Sequence, residues 1–174
     1  MRQSKEFYRS IPLDRVNQPN PTDPVLFYPK EFNVFDNFTA YQVLYDHYLW
    51  PTCEHAFQAA GFKGVSEDVV AQIKHAKSAH DAQKVMQANV PKLRPNWEEE
   101  QREVMKDILR CKIDQHPYVL KKLLQSGDRE IIEDSWRDDV WGWGEDKSGK
   151  NRLGEIWMEL RKEYQRSQAG YKYL

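Results

Sequence analysis

Only two cysteines, Cys53 and Cys111, occur in the 174 residues, too few for a disulfide framework and suited to a reducing compartment. Neither sign of charge dominates, since 26 Lys and Arg stand against 27 Asp and Glu for a formal net charge of -1. That balance argues against a protein that holds nucleic acid mainly by neutralising phosphates. It does not exclude recognition of one nucleotide or base in a pocket. No apolar run reaches the length needed to cross a bilayer. The opening residues MRQSKEFYRS lack the apolar stretch of a secretory signal, so the cytoplasm, or the nucleus, is the expected compartment. The cysteines are far apart and no HExxH or paired-histidine spacing appears, so no metal site is expected. No cofactor is implied, and there is no internal repeat or low-complexity tract.

Aromatic residues are plentiful, at 13% of the chain, and the length suits one domain with a real core. Residues 1–24 carry Pro12, Pro19, Pro21 and Pro24 and read as an extended arm. The domain itself is expected over 25–166, followed by a tail at 167–174. Val25–Tyr28 and Tyr41–Tyr45 read as strands, with an Asn-rich aromatic loop between them that suits lining a site. After Pro51 the pattern turns helical, with Thr52 as N-cap. Further helices are expected from Ser66, over Asp81–Ala88, from Asn96, over Pro117–Gln125 and after Asn151. Glu130–Glu133 reads as a brief strand. The class is α+β, a mainly α-helical single domain with a small N-terminal β-sheet.

The segment Trp50–Phe62, WPTCEHAFQAAGF, gathers an aromatic, a carboxylate, an imidazole and an amide at a helix start. Such groups must be paired when they leave water. Glu54 and Gln58, four apart, share a helix face, with Gly61 near it, whereas adjacent Glu54 and His55 do not. His55 alone reads as a hydrogen-bonded core histidine, and Glu54 alone as a first-turn acid favoured by the helix dipole. Cys53 next to His55 is no dyad, since sequence adjacency is the wrong criterion. The Gly-rich stretch Trp141–Gly154, with Lys147, Lys150 and Arg152, reads equally as a turn or as a phosphate cradle of backbone amides and cations. It matches no P-loop. Asp139 stands as a second carboxylate for acid–base work or as a solvated acid.

Phe35-Asp36-Asn37-Phe38 followed by Trp50–Ala59 resembles the opening of the NADAR superfamily, also called YbiA-like proteins. The resemblance continues through Arg94-Pro95-Asn96-Trp97, Val104-Met105, Leu123-Leu124, Gly127-Asp128, Glu133, Asp139–Gly142, Gly149–Gly154 and Met158–Arg161. It implies a YbiA-like fold and an N-glycosidase that removes ADP-ribose from ADP-ribosylated guanine in DNA, RNA or nucleotides. Riboflavin-pathway ribosylamino intermediates are the other substrate class it implies. Carried over, Glu54 is the carboxylate at the anomeric centre and Asp139 a second acid. Asn37 and Gln58 position ribose hydroxyls, and Trp50 and Trp141 are aromatic walls. Gly142, Gly149, Asn151 and Arg152 hold phosphate.

One position departs from the family pattern, in which a lysine precedes Phe62. Here Gly61 stands there, and Lys63 points elsewhere on the helix. That lysine's amine would serve as a Schiff-base nucleophile or as a partner for Glu54. Three accounts stay open: a divergent member with another mechanism, a natural module that binds ADP-ribose or NAD without turnover, and a deliberately disabled variant.

Overall fold

Among the described residues, 22–28 and 33–171, the computed structural model contains four short strands, six α-helices and one 3-10 turn. Most of the Pro-rich arm and the last residues of the predicted tail lie outside that range. In chain order the elements are β1 (Val25–Phe27), β2 (Val43–Tyr45), β3 (Tyr48–Trp50), α1 (Cys53–Ala60), α2 (Glu67–Lys74), α3 (Ala79–Ala88), α4 (Trp97–Gln115), α5 (Pro117–Gln125), β4 (Ile131–Glu133) and α6 (Arg152–Tyr171). None of the described helices is long and apolar enough to cross a membrane. The predicted α+β class, mainly helical with little sheet, is what the molecule has.

The sheet content divides into two pairs. β2 and β3 form a hairpin across Asp46 and His47, both at positive φ, as a type I′ turn requires. Sequence reading finds β2 and misses β3 because Asp-His lacks the glycine that usually marks this turn. β1 runs parallel to β4, with Phe27 opposite Glu133, so the N-terminal strand is completed by a segment from far along the chain. Such a crossover is expected between parallel strands. The hairpin docks on α4 through Gln115, whose side-chain amide accepts from the Leu44 N–H at 2.7 Å and donates to its carbonyl at 2.9 Å.

The core is closed by α6. Trp157 is fully buried, meets Phe35 edge to face at 5.1 Å, and donates its indole N–H to the Phe35 carbonyl at 2.8 Å. Lys112 of α4 is also fully buried. Its ammonium donates to the Asp36 carbonyl at 2.9 Å and to Thr39 Oγ1 at 3.1 Å, and it lies 4.9 Å from the centre of the Tyr41 ring. These two side chains fix the loop that carries Asn37. Arg161 ties α6 to the turn before β4, donating to Ser126 Oγ at 2.7 Å and the Arg129 carbonyl at 2.8 Å.

Trp157→Phe should destabilise the protein by about 1–3 kcal/mol, because it leaves a buried carbonyl unpaired. Urea unfolding checks this, and an unchanged midpoint would contradict the anchoring role.

Candidate active site

Thr52 starts α1 in extended backbone geometry, and its Oγ1 accepts the His55 N–H at 3.2 Å. The His55 ring bridges Thr52 Oγ1, 2.8 Å from Nδ1, and the Ala76 carbonyl, 3.2 Å from Nε2. A carbonyl only accepts, so Nε2 carries the proton and Nδ1 accepts from the threonine. Burial also lowers the His55 pKa. This imidazole is a neutral core group that fixes the helix start.

The Glu54 N–H donates to the Asn37 carbonyl at 3.0 Å, docking the first turn of α1 on the loop. The Glu54 carboxylate, 3% exposed, receives one amide donor on each oxygen. Gln58 Nε2 donates to Oε1 at 2.6 Å, and Asn37 Nδ2 donates to Oε2. Burial outweighs these hydrogen bonds, and the acids Asp36 and Asp138 add to it, so the Glu54 pKa is pushed up to about 7.

A second carboxylate stands across the same cavity. Glu133 ends β4, and its N–H donates to Asn151 Oδ1 at 3.0 Å while Asn151 Nδ2 donates to the Ile131 carbonyl at 2.9 Å. Burial, then the negative charges of Asp138, Asp36 and Glu54, raise its pKa to about 8. Its Oε2 and the Asn37 Oδ1 are buried without a partner among the described residues, two polar atoms left for a hydroxyl-bearing ligand. The cavity, about 230 Å³, is lined by Glu54, Glu133, Asp138, Asn37 and Gln58 and by the rings of Phe38, Phe57, Trp97 and Trp141. Phe57 packs against Trp97 and against Trp141, with ring centres 5.3 Å apart in both pairs. No lysine or arginine is among the described lining residues.

The structure thus brings together Asn37, Glu54, Gln58 and Trp141, as the sequence predicts, and leaves other predicted residues elsewhere. Trp50 is buried on the other side of α1, where its indole donates to the Tyr45 carbonyl at 3.2 Å. Asp139 is exposed and does not line the cavity, whereas its neighbour Asp138 does, accepting the Val140 and Trp141 N–H groups at 2.9 and 2.8 Å. Several amides of the predicted phosphate cradle are used by the loop itself. Gly149 donates to Trp143, Asn151 to Gly142, Arg152 to Val140 and Leu153 to Trp141.

Packing accounts for the loop's glycines. A Cβ at Gly142 would lie 2.9 Å from the Glu133 carbonyl oxygen, and one at Gly149 would lie 2.7 Å from that of Asp139. Asn151 is the pin that sets Glu133, and Arg152 is half-buried with no ion pair to a described residue. Gly61 also has a packing reason. It sits at the end of α1 rather than inside it, and a Cβ there would lie 2.8 Å from Leu93 Cδ2 and 3.1 Å from Trp97 Cε2.

Sequence reasoning misses Glu133 and Trp97 as cavity residues. An acid closing the apolar run Ile131-Ile132 was the available signal for the first. Trp97 stands in the family-like motif Arg94-Pro95-Asn96-Trp97, which by itself assigns it no place in a site. Among the described residues no cluster of His, Cys, Asp and Glu is arranged to hold a metal.

The residue profile of the NADAR domain matches residues 25–165. The N-glycosidase YbiA of Escherichia coli is 35% identical over 133 residues, covering 76% of this chain and 82% of that protein. An N-glycosidase of Nostoc punctiforme is 29% identical over 133 residues, 76% of this chain and 85% of its own length. The chloroplastic riboflavin biosynthesis protein PYRR of Zea mays is 33% identical over 166 residues, 87% of this chain but only 27% of that protein. The NMR structure of E. coli YbiA matches with a TM-score of 0.75 at 31% identity, covering 85% of this chain and 89% of the other.

Two stability measurements check this geometry. The folded state holds the Glu133 proton up to about 8, against a usual 4.5, so rising pH across that window draws stability away. The thermal midpoint of Glu133→Gln should therefore gain on the wild type between pH 5 and pH 8, and a constant difference would contradict the burial argument. Gly61→Lys should lower stability by about 1–3 kcal/mol through overpacking against Leu93 and Trp97, as read by urea unfolding.

Proposed function

Because the chain belongs to the NADAR domain family, matched over residues 25–165, we propose that it is an N-glycosidase working through Glu54 and Glu133. The observation that carries this reading is one cavity with two buried carboxyl groups whose pKa values are raised to about 7 and about 8. Groups poised near neutrality suit acid–base work. Breaking the bond from ribose C1'' to a base nitrogen leaves positive charge on the carbon and needs a proton on the nitrogen. Glu54, held by Asn37 and Gln58, is the carboxylate that faces the developing cation. Glu133 retains its proton and delivers it to the departing nitrogen. Water adds to C1'' and its proton passes to a carboxylate.

Asn37 Oδ1, which lacks a partner, accepts from a ribose hydroxyl, and Trp141, Phe57 and Trp97 give the base apolar faces. No lysine is among the described residues that line the cavity, which supports direct hydrolysis over a Schiff base. The substrate we favour is ADP-ribosylated guanine, in a nucleotide or in nucleic acid with the base exposed from its stack. Similarity to a riboflavin biosynthesis protein over 87% of this chain supports a second reading, a ribosylamino intermediate of that pathway. A binding module without turnover rests on the missing lysine alone, and the packing around Gly61 weakens it.

Incubation with ADP-ribosylated guanosine should release guanosine and ADP-ribose. Glu54→Gln should lower the rate by roughly 10²–10⁴-fold, while Asp139→Ala stays near wild type. Binding without product would establish the module, and turnover only of a ribosylamino pyrimidine phosphate would establish the second reading. The rate should rise to about pH 7 as Glu54 ionises and fall above about pH 8 as Glu133 loses its proton. Borohydride added during turnover should trap no adduct, and a lysine adduct would contradict direct hydrolysis.

A further inference from the structure

A second cavity, about 460 Å³, lies against the face of α1 turned away from Glu54. The hairpin supplies its aromatic wall, with Trp50 4% exposed and the Tyr48 ring centre 5.8 Å from it. Facing that wall, Ala56, Ala59 and Ala60 present only methyl groups. An aromatic wall opposite bare methyls is a slot for a flat ring. Two cations, Lys63 and Arg94, and two acids, Asp46 and Glu67, also line it. That balance suits an uncharged ligand better than a polyphosphate.

The polar groups here are unequally satisfied. Lys63 pairs with Asp46, and Glu67 accepts the Gly64 N–H at 2.8 Å. Arg94 gives Nη2 to Glu100 at 2.7 Å, but its Nε is shut off from solvent without a partner. A buried donor of this kind is expensive to leave unmade. An arginine fork matches adjacent acceptors such as O6 and N7 of an oxopurine, whereas the corresponding edge of adenine sets an acceptor beside a donor.

We propose that this cavity is a second ligand site, separate from the catalytic one, for a planar heteroaromatic ring with adjacent acceptors, represented by an oxopurine nucleoside. The exposed ring of Tyr48 covers the ligand beside Trp50, the alanine face admits it, and Arg94 binds its acceptor edge. The site stands on no assumption about catalysis, so its failure would leave the hydrolase reading untouched.

Guanosine titrated into the full chain, followed by the indole signals in a ¹⁵N–¹H NMR spectrum, tests the assignment. The Trp50 signal should move while that of Trp141 stays. Adenosine and the Arg94→Lys variant should each bind at least roughly tenfold more weakly, as loss of a charge-assisted hydrogen bond implies. Ala60→Phe, with its thermal midpoint recorded to confirm folding, should abolish the shift, and Glu54→Gln should leave it unchanged. Absence of any Trp50 shift would overturn the proposal. So would full affinity in Arg94→Lys, or a shift that moves to Trp141 and is lost in Glu54→Gln.

Discussion

The burial of one carboxylate, that of Glu54, organises the molecule around it. A carboxylate removed from water needs hydrogen-bond donors, and here they come from two directions, Asn37 on a loop and Gln58 one helical turn along α1. The loop must therefore be held as firmly as the helix. Trp157 grips the Phe35 carbonyl and Lys112 grips that of Asp36, the two residues just before Asn37. Two of the most buried side chains in the core thus serve a loop only a few residues long.

Glu133 reaches the same cavity by a different route. The parallel pairing of β1 with β4 brings its backbone into place, and Asn151 holds that backbone through both an N–H and a carbonyl. Packed glycines let the following loop fold closely over β4, so that Asp138 and Trp141 complete the cavity wall. Nearby negative charge adds to burial for both acids, that of Asp36 and Asp138 at Glu54 and that of Asp138, Asp36 and Glu54 at Glu133. This constellation is suited to holding and moving a proton near neutral pH.

Much of the frame was legible in the sequence. Helix starts at Thr52 and Asn96, the helix over Pro117–Gln125 and the shared face of Glu54 and Gln58 all follow from local rules, and those rules hold where the contacts are local. What they miss is non-local. Glu133 becomes a cavity residue only through a strand pairing across the chain, and Trp97 only through the position of Gly61. The glycines and Asn151 were visible as a motif, but the motif does not say whether their backbone amides face a ligand or one another. They face one another. Trp50 was legible as a purposeful aromatic beside Glu54, yet it sits behind α1, because neighbouring residues in sequence need not share a cavity.

The central claim is that two glutamates in one cavity keep their protons close to neutrality. Carboxyl ¹³C NMR of the glutamate side chains across a pH titration measures this directly, with Glu54→Gln and Glu133→Gln assigning the signals. Two resonances should titrate near 7 and 8 and vanish in their respective variants. If every glutamate titrated near its ordinary value of 4.5, the cavity would not be the acid–base site described.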